Sequence, residues 1–214
     1  MNKLVLFDFD GTLADSAPDL AATANRMRNE HGLPDLPYEA LRPYASHGAR
    51  GLLKVALDIN TDHPNYAQLR AQFLQDYNDH MTELTYLFEG VAPMLKQLEQ
   101  AGYTWGIVTN KLEYLALPLI RHLGLEAGCA VTVGGDTTQH TKPHPAPLLY
   151  AAEKTGFDPK DCLYVGDDLR DIQAGQAAGM ATMIAAYGYC AQDDSLSTWQ
   201  ADMTVHHASD IWEG

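Results

Sequence analysis

The α/β fold that the sequence predicts is a doubly wound, mainly parallel sheet of five to six strands with an inserted helical cap. Three observations predict it. An apolar run, Leu4–Phe7, stands close to the N-terminus and ends in two acids, Asp8 and Asp10. Residues 16–83 then read almost purely as helix, too many helices for a single strand-to-strand crossover. From Phe88 onward strands and helices alternate strictly, the pattern of a parallel sheet covered on both faces. The expected division is therefore a core of residues 1–15 and 84–214 and a cap of residues 16–83.

Leu4–Phe7 shows no polar alternation, so it reads as a strand buried on both faces. Asp8 and Asp10 are spaced two apart, which places both on one side of an extended chain. Gly11 permits a sharp turn after them, and Thr12 adds a hydroxyl. Ser16 followed by Asp19 resembles a capping box, with Pro18 tolerated in the first helical turn. Leu20, Ala24 and Met27 continue that helix to His31-Gly32. A short helix is predicted at Tyr38–Leu41, broken by Pro43, then a polar turn over residues 46–51 and a helix over 52–57. Tyr66, Leu69, Phe73, Tyr77 and Met81 mark one apolar face of a helix over 65–81.

In the second part, Val91–Gln100 is predicted as a helix stopped by Gly102, and 103–108 as a strand ending in Thr109-Asn110. A helix over 112–123, with Pro118 inside it, precedes a strand over 130–133 that ends in Gly134-Gly135-Asp136. A loop carrying Lys142-Pro143 leads into a helix reaching about Thr155. The strand over 162–165 ends in Gly166-Asp167-Asp168 and is followed by a helix to Ala178-Gly179. Ala181–Ala185 is a fifth strand and Met203–Val205 a short sixth. Ligands in such sheets bind beyond the carboxyl ends of the strands, where strand order reverses. Asp8 and Asp10, Thr109, Lys142 one loop further on, and Asp167 all sit at such ends.

Composition narrows the function. A chain of 214 residues, 46% hydrophobic, suits one good core with a small satellite. A net charge of −14 argues against nucleic-acid backbones and anionic membranes as partners. Cys129, Cys162 and Cys190 form an odd set without framework spacing, which suits a reducing compartment, with Cys129 and Cys162 as apolar filler. No apolar run approaches the ~18 residues of a membrane span, and Asp8 and Asp10 interrupt the N-terminal run too early for a secretory signal. A soluble cytoplasmic protein is expected.

Asp8, Asp10, Asp167 and Asp171 in one small volume would repel one another without a divalent cation. All-oxygen ligands favour Mg²⁺. That ion and Lys142 would make an anionic phosphate welcome, with Thr109 and backbone N–H groups after Asp8 bonding phosphoryl oxygens. Asp8, ending the rigid strand, is then placed to attack phosphorus. Asp10 can protonate the leaving alkoxide and later activate water.

Asp8-Phe-Asp-Gly-Thr, Thr109-Asn110, Lys142-Pro143 and Gly166-Asp-Asp-Leu-Arg-Asp171 resemble, in order and spacing, the four signature motifs of the haloacid dehalogenase superfamily. The resemblance covers the whole chain and implies a Rossmann-like core with a cap between the first two motifs. It implies Asp8 as nucleophile and Asp10 as general acid/base, with Thr109, Asn110 beside it, and Lys142 gripping phosphate. It further implies a metal held by Asp8, the Asp10 carbonyl and Asp167, with Asp171 orienting from behind and Asp168 where many relatives carry Ser or Thr. True dehalogenases lack the second Asp, so Asp10 argues against dehalogenation.

Within the superfamily the chain is most similar to the phosphoglycolate phosphatases. The run from Gly166 to Ile172, Tyr187-Gly-Tyr189 and residues 199–202 also resemble relatives that dephosphorylate N-acetylmuramic acid 6-phosphate. A phosphotransferase of the beta-phosphoglucomutase type and a non-catalytic binding module are the other readings. Arg50, in the cap, is the candidate to meet a polar group of the substrate. His140, His144, His206 and His207 read as loop or surface residues, and Lys111 and Glu113 as exposed helix charges. The expected partner is a small phosphorylated metabolite, the chain itself being a monomer or homodimer.

Overall fold

The structure, a computed structural model, describes residues 4–190 and 195–212. Along the chain run β1 (Leu4–Phe7), β2 (Ala14–Asp15), α1 (Ala17–Glu30), α2 (Tyr38–Leu41), α3 (Gly48–Leu57), α4 (Tyr66–His80), β3 (Tyr86–Leu87) and α5 (Val91–Gln100). There follow β4 (Thr104–Val108), α6 (Glu113–His122), β5 (Cys129–Val133), α7 (Ala146–Thr155), β6 (Cys162–Gly166), α8 (Leu169–Ala178), β7 (Ala181–Ala185) and β8 (Met203–Val205). Two compact units result, one of Met1–Ala14 with Leu87–Gly214 and one of Asp15–Tyr86.

The first unit is built on a six-stranded sheet in the order β5-β4-β1-β6-β7-β8. Every neighbouring pair is parallel. From β1 the chain proceeds outward through β4 and β5, then crosses to the other side for β6, β7 and β8. The order therefore reverses at β1, whose residues pair with β4 on one side and β6 on the other. All four residues of β1 are buried, which explains its unbroken apolar pattern: helices cover both faces of a central parallel strand. One such layer packs Leu4, Leu6, Val108, Val133, Leu148 and Tyr164 together.

The Asp15–Tyr86 unit is helical, with α1, α3 and α4 packed on one another. Two expectations fail here. Ser16 stands at the N-cap of α1 but makes no side-chain cap bond. The Asp19 carboxylate instead accepts hydrogen bonds from the backbone N–H groups of Leu84 and Thr85 and from the Thr85 hydroxyl, at 2.7–3.1 Å. A buried carboxylate takes several neutral donors from a distant segment where the local box would supply fewer. The second failure is the polar turn at 46–51: a 3-10 helix over Arg42–His47 runs into α3, which begins at Gly48. Asp15 is buried and accepts from Arg42 at 2.7 Å and from the Tyr86 hydroxyl at 3.3 Å.

Among the described residues no helix is long and apolar enough to cross a membrane. Cys162 and Cys190 are buried, whereas Cys129 is only partly so, and all three are free thiols.

Candidate active site

The site forms where β1, β4 and β6 end side by side. Phe7 is in register with Ile107 and Val165, so Asp8 emerges beside Val108 and Gly166. The Asp8 backbone N–H donates to the Val165 carbonyl at 2.8 Å, extending the ladder by one residue and stiffening the strand end. After Asp8 the chain turns at once: Leu13 and Ala14 N–H groups return to the Phe9 carbonyl at 3.0 and 2.9 Å. Gly11 makes that turn with φ +88°, and a Cβ there would lie 2.1 Å from the Asp167 carboxylate. Backbone conformation and contact both require glycine at this position.

Lys142 is the hub. Its ammonium lies 2.8 Å from Asp8 Oδ1 and 2.7 Å from Asp171 Oδ1. It also stands 2.7 Å from the Tyr164 hydroxyl and 3.1 Å from the Val108 carbonyl. An ammonium has three N–H donors, so four protein acceptors already saturate it. Expected on phosphate, Lys142 in this arrangement is first the counter-ion of two buried acids. Burial works to lower its affinity for a proton, but Asp171 and then Asp8 outweigh burial and raise it. Tyr164 was not anticipated. Its phenol donates to Val108 O (2.8 Å) and lies 3.2 Å from Asp171 Oδ1. Burial, then Asp171 and Asp8, push that phenol well above its ordinary value, keeping it a donor. The available signal was a tyrosine inside an apolar strand, whose hydroxyl must find a partner when buried.

Asp171 and Asp168 form the capping box of α8: the Asp168 N–H donates to Asp171 Oδ2 at 3.0 Å, and the Asp168 carboxylate caps the Arg170 N–H. Asp168 also holds the Arg170 guanidinium at 2.7 Å. That guanidinium keeps the carboxyl below its usual range although burial opposes it. These contacts explain an acid at that position without any contact to a metal.

Asp167 is 2% exposed. It accepts from Thr12 Oγ1 at 3.1 Å and from the Tyr189 N–H at 2.9 Å. No lysine or arginine among the described residues pairs with it. Burial first, then the like charges of Asp8 and Asp171, push its carboxyl well above the usual range. Burial likewise pushes Asp8 up to about 7, against the pull of Lys142. Asp8, Asp167 and Asp171 each offer an oxygen within 4.8 Å of the others. A buried anion without a counter-charge, beside two more carboxylates, fits a hard divalent cation.

Thr109 is buried, and its Oγ1 accepts from the Lys111 N–H at 3.2 Å. Among the described residues its hydroxyl hydrogen has no protein acceptor, so it remains available. Asn110, expected beside Thr109 on phosphate, has its amide engaged with the loop that carries Lys142. Its side chain is reciprocally bonded to the Lys142 backbone N–H and carbonyl, both at 3.0 Å, and so anchors the loop that delivers Lys142. Lys111 and Glu113 correct a further expectation. The Lys111 side chain is only 7% exposed and pairs with Asp10 at 3.1 Å, while Glu113 accepts from the Thr137 hydroxyl at 2.8 Å. His140 and His144 are exposed and stack on one another, and His206 and His207 are exposed. Arg50 is exposed in the first turn of α3, within the Asp15–Tyr86 unit.

A family model described as haloacid dehalogenase-like hydrolase matches residues 5–185. The chain belongs to that family. This haloacid dehalogenase-like hydrolase is 48% identical to a phosphoglycolate phosphatase of Xanthomonas campestris pv. campestris over 99% of its own length and 95% of that protein. It is 40% identical to an N-acetylmuramic acid 6-phosphate phosphatase of Pseudomonas aeruginosa, covering 98% and 92% of the two chains. Among solved structures, that of a phosphoglycolate phosphatase from Haemophilus somnus 129PT (so designated by prediction) aligns with a TM-score of 0.86 at 30% identity, over 98% of this chain and 96% of the other.

Proposed function

We propose that the chain is a Mg²⁺-dependent phosphomonoesterase that hydrolyses a small phosphorylated metabolite through an aspartyl-phosphate on Asp8, with 2-phosphoglycolate as the first choice of substrate. The observation that carries this reading is the Lys142 ammonium 2.8 Å from Asp8 Oδ1, beside the otherwise uncompensated Asp167. Asp8 would be held ionised and oriented by Lys142 and by the Phe9 N–H at 2.7 Å. An Asp8 oxygen bonds to phosphorus as the phosphorus–ester oxygen bond breaks. The departing alkoxide takes its proton from Asp10. Asp10, now a carboxylate, accepts a proton from the water that attacks the same phosphorus, and the Asp8–phosphorus bond breaks to release inorganic phosphate. Thr109 would donate its free hydroxyl hydrogen to a phosphoryl oxygen. Asp8 and Asp167 with the Asp10 carbonyl would hold the Mg²⁺, which would supply charge neutralisation for the phosphoryl oxygens. Asp171 stays bound to Lys142 and Tyr164.

The substrate preference rests on the more similar relative and is tested by a turnover screen. Expected is a kcat/KM for 2-phosphoglycolate at least tenfold above those for hexose phosphates and nucleotides. The second reading, N-acetylmuramic acid 6-phosphate, is favoured by the 40% relative and by the resemblance of the Tyr187-Gly-Tyr189 run, whose Tyr189 N–H donates to Asp167. It replaces the first if that compound leads the screen by a similar margin. Strict dependence on a sugar bisphosphate, with transfer to a sugar hydroxyl in place of water, would reassign the chain to the phosphotransferases.

Metal dependence has a readout besides turnover. Asp8 and Asp167 have folded-state proton affinities raised above the unfolded value of 3.8, Asp8 to about 7. Raised carboxyls stabilise the fold fully below the unfolded value and lose that contribution as pH rises through the folded one. In excess chelator the thermal midpoint is therefore expected to fall between pH 5 and pH 8, by roughly 6–12 °C for a loss on the order of 3 kcal/mol. A cation binds the deprotonated carboxylates, so the gain in midpoint on adding Mg²⁺ is expected near zero at pH 5 and several degrees at pH 8. Scanning fluorimetry across that range checks it; a Mg²⁺ gain equal at both ends would remove these two acids from the metal site.

A further inference from the structure

Lys111 sits two residues past Thr109 and, by composition alone, belongs on the surface. Its ammonium instead lies 3.1 and 3.3 Å from the two oxygens of Asp10. Both partners are largely withdrawn from water, with side-chain exposures of 7% and 17%, so solvent screens the pair less than it would a surface bridge. The backbone around Lys111 is itself anchored. Its N–H bonds Thr109 Oγ1, and its carbonyl accepts the Gly135 N–H at 2.7 Å. Asp10 stands on the tight turn after β1, where nothing in the strand ladder dictates the plane of its carboxylate. A cation touching both oxygens restrains it.

Charge points the same way. Asp8, Asp10, Asp167 and Asp171 face two ammonium groups, Lys142 and Lys111. Four carboxylates against two lysines leave two negative charges, the charge of one divalent cation. The two lysines also divide the labour: Lys142 serves Asp8 and Asp171, and Lys111 serves Asp10.

We propose that Lys111 is a positioning residue for the reaction, orienting the Asp10 carboxylate toward the leaving-group oxygen through its contacts with both Asp10 oxygens. This role rests on the phosphomonoesterase reading above, in which Asp10 moves the protons. General acid–base groups contribute on the order of 10²–10⁴-fold, and a misdirected one forfeits part of that. Lys111 acts through Asp10, so its removal should lower kcat and leave KM nearly unchanged. Its effect should also vanish where Asp10 can no longer transfer a proton.

The test is steady-state kinetics on Lys111→Met, Lys111→Gln and Lys111→Arg, and on Lys111→Met combined with Asp10→Asn. 2-Phosphoglycolate and p-nitrophenyl phosphate serve as substrates, and thermal midpoints accompany each protein. Expected are a loss in kcat of about 10- to 100-fold for Met and Gln with KM within threefold, and recovery to within fivefold of wild type for Arg. In the Asp10→Asn background the Met substitution should change kcat less than twofold. Should Met fail to fold, Gln, which keeps donors at the site, carries the same comparison. Wild-type kcat in the Met or Gln protein overturns the role. So does a rise in KM at unchanged kcat, or an equal loss with and without the Asp10 carboxylate. A wild-type protein that turns over no phosphomonoester overturns the function and this role together.

Discussion

Asp8→Asn is expected to abolish turnover, by a factor on the order of 10⁴ or more, while the protein remains folded. The amide keeps the shape of the carboxylate at the end of β1, and the strand ladder through the Asp8 N–H to Val165 is untouched. What is lost is the oxygen nucleophile that would form the covalent intermediate, and removal of a nucleophile leaves only binding and electrostatic contributions. The stability change separates this from simple damage. Asp8 is 9% exposed, and burial is the largest influence on its carboxyl, so neutralising it removes a desolvated charge near Asp171 and Asp10. At pH 8 in chelator the thermal midpoint should therefore hold or rise, and the Mg²⁺-induced gain should shrink. Full turnover in the Asn protein would refute the covalent mechanism outright.

Lys142→Met carries the second large effect, and it joins stability to chemistry. Methionine fills the space of the lysine stem but strands Asp8 and Asp171, whose carboxylates lie 2.8 and 2.7 Å from the ammonium it removes. Breaking a buried ion pair from one side costs about 3–5 kcal/mol, because the remaining charge stays desolvated. For a chain of this size that corresponds to a drop in thermal midpoint of roughly 6–20 °C at pH 8. The loss should narrow at pH 5, where the stranded Asp8 carboxyl takes up a proton, and narrow again when Asp171→Asn is added. Turnover should fall at least a thousandfold, since Asp8 loses both its counter-charge and its orientation. Calorimetry at the two pH values decides the stability part. An equal loss at both would mean that Lys142 stabilises by packing alone.

Legibility from sequence followed locality. β1 and the acids after it could be read because an unbroken apolar run, a two-residue spacing and a glycine are all local signals of a buried strand that stops at a turn. The alternation after Phe88 yielded the parallel sheet, including the short β8, for the same reason. Capping boxes were less reliable. Ser16 and Asp19 have the right spacing but Asp19 is taken by residues 84 and 85, while the box that forms is Asp168 with Asp171. Spacing identifies the possible partners, and tertiary competition for the carboxylate selects among them.

The sequence by itself determined the sheet, the order of its strand-end acids and the presence of a lysine among them, because each rests on residue type and short-range periodicity. Only the tertiary structure decided how charges are distributed among those groups. Lys142 is shared by Asp8 and Asp171 and seated on Tyr164, Lys111 is drawn in to Asp10, Asn110 is spent on a backbone, and Asp167 has no lysine or arginine partner among the described residues. The physical reason is that a lysine or an asparagine is at ease in water. Its pairing depends on burial and on which distant strand ends converge, and neither is written in the residues beside it.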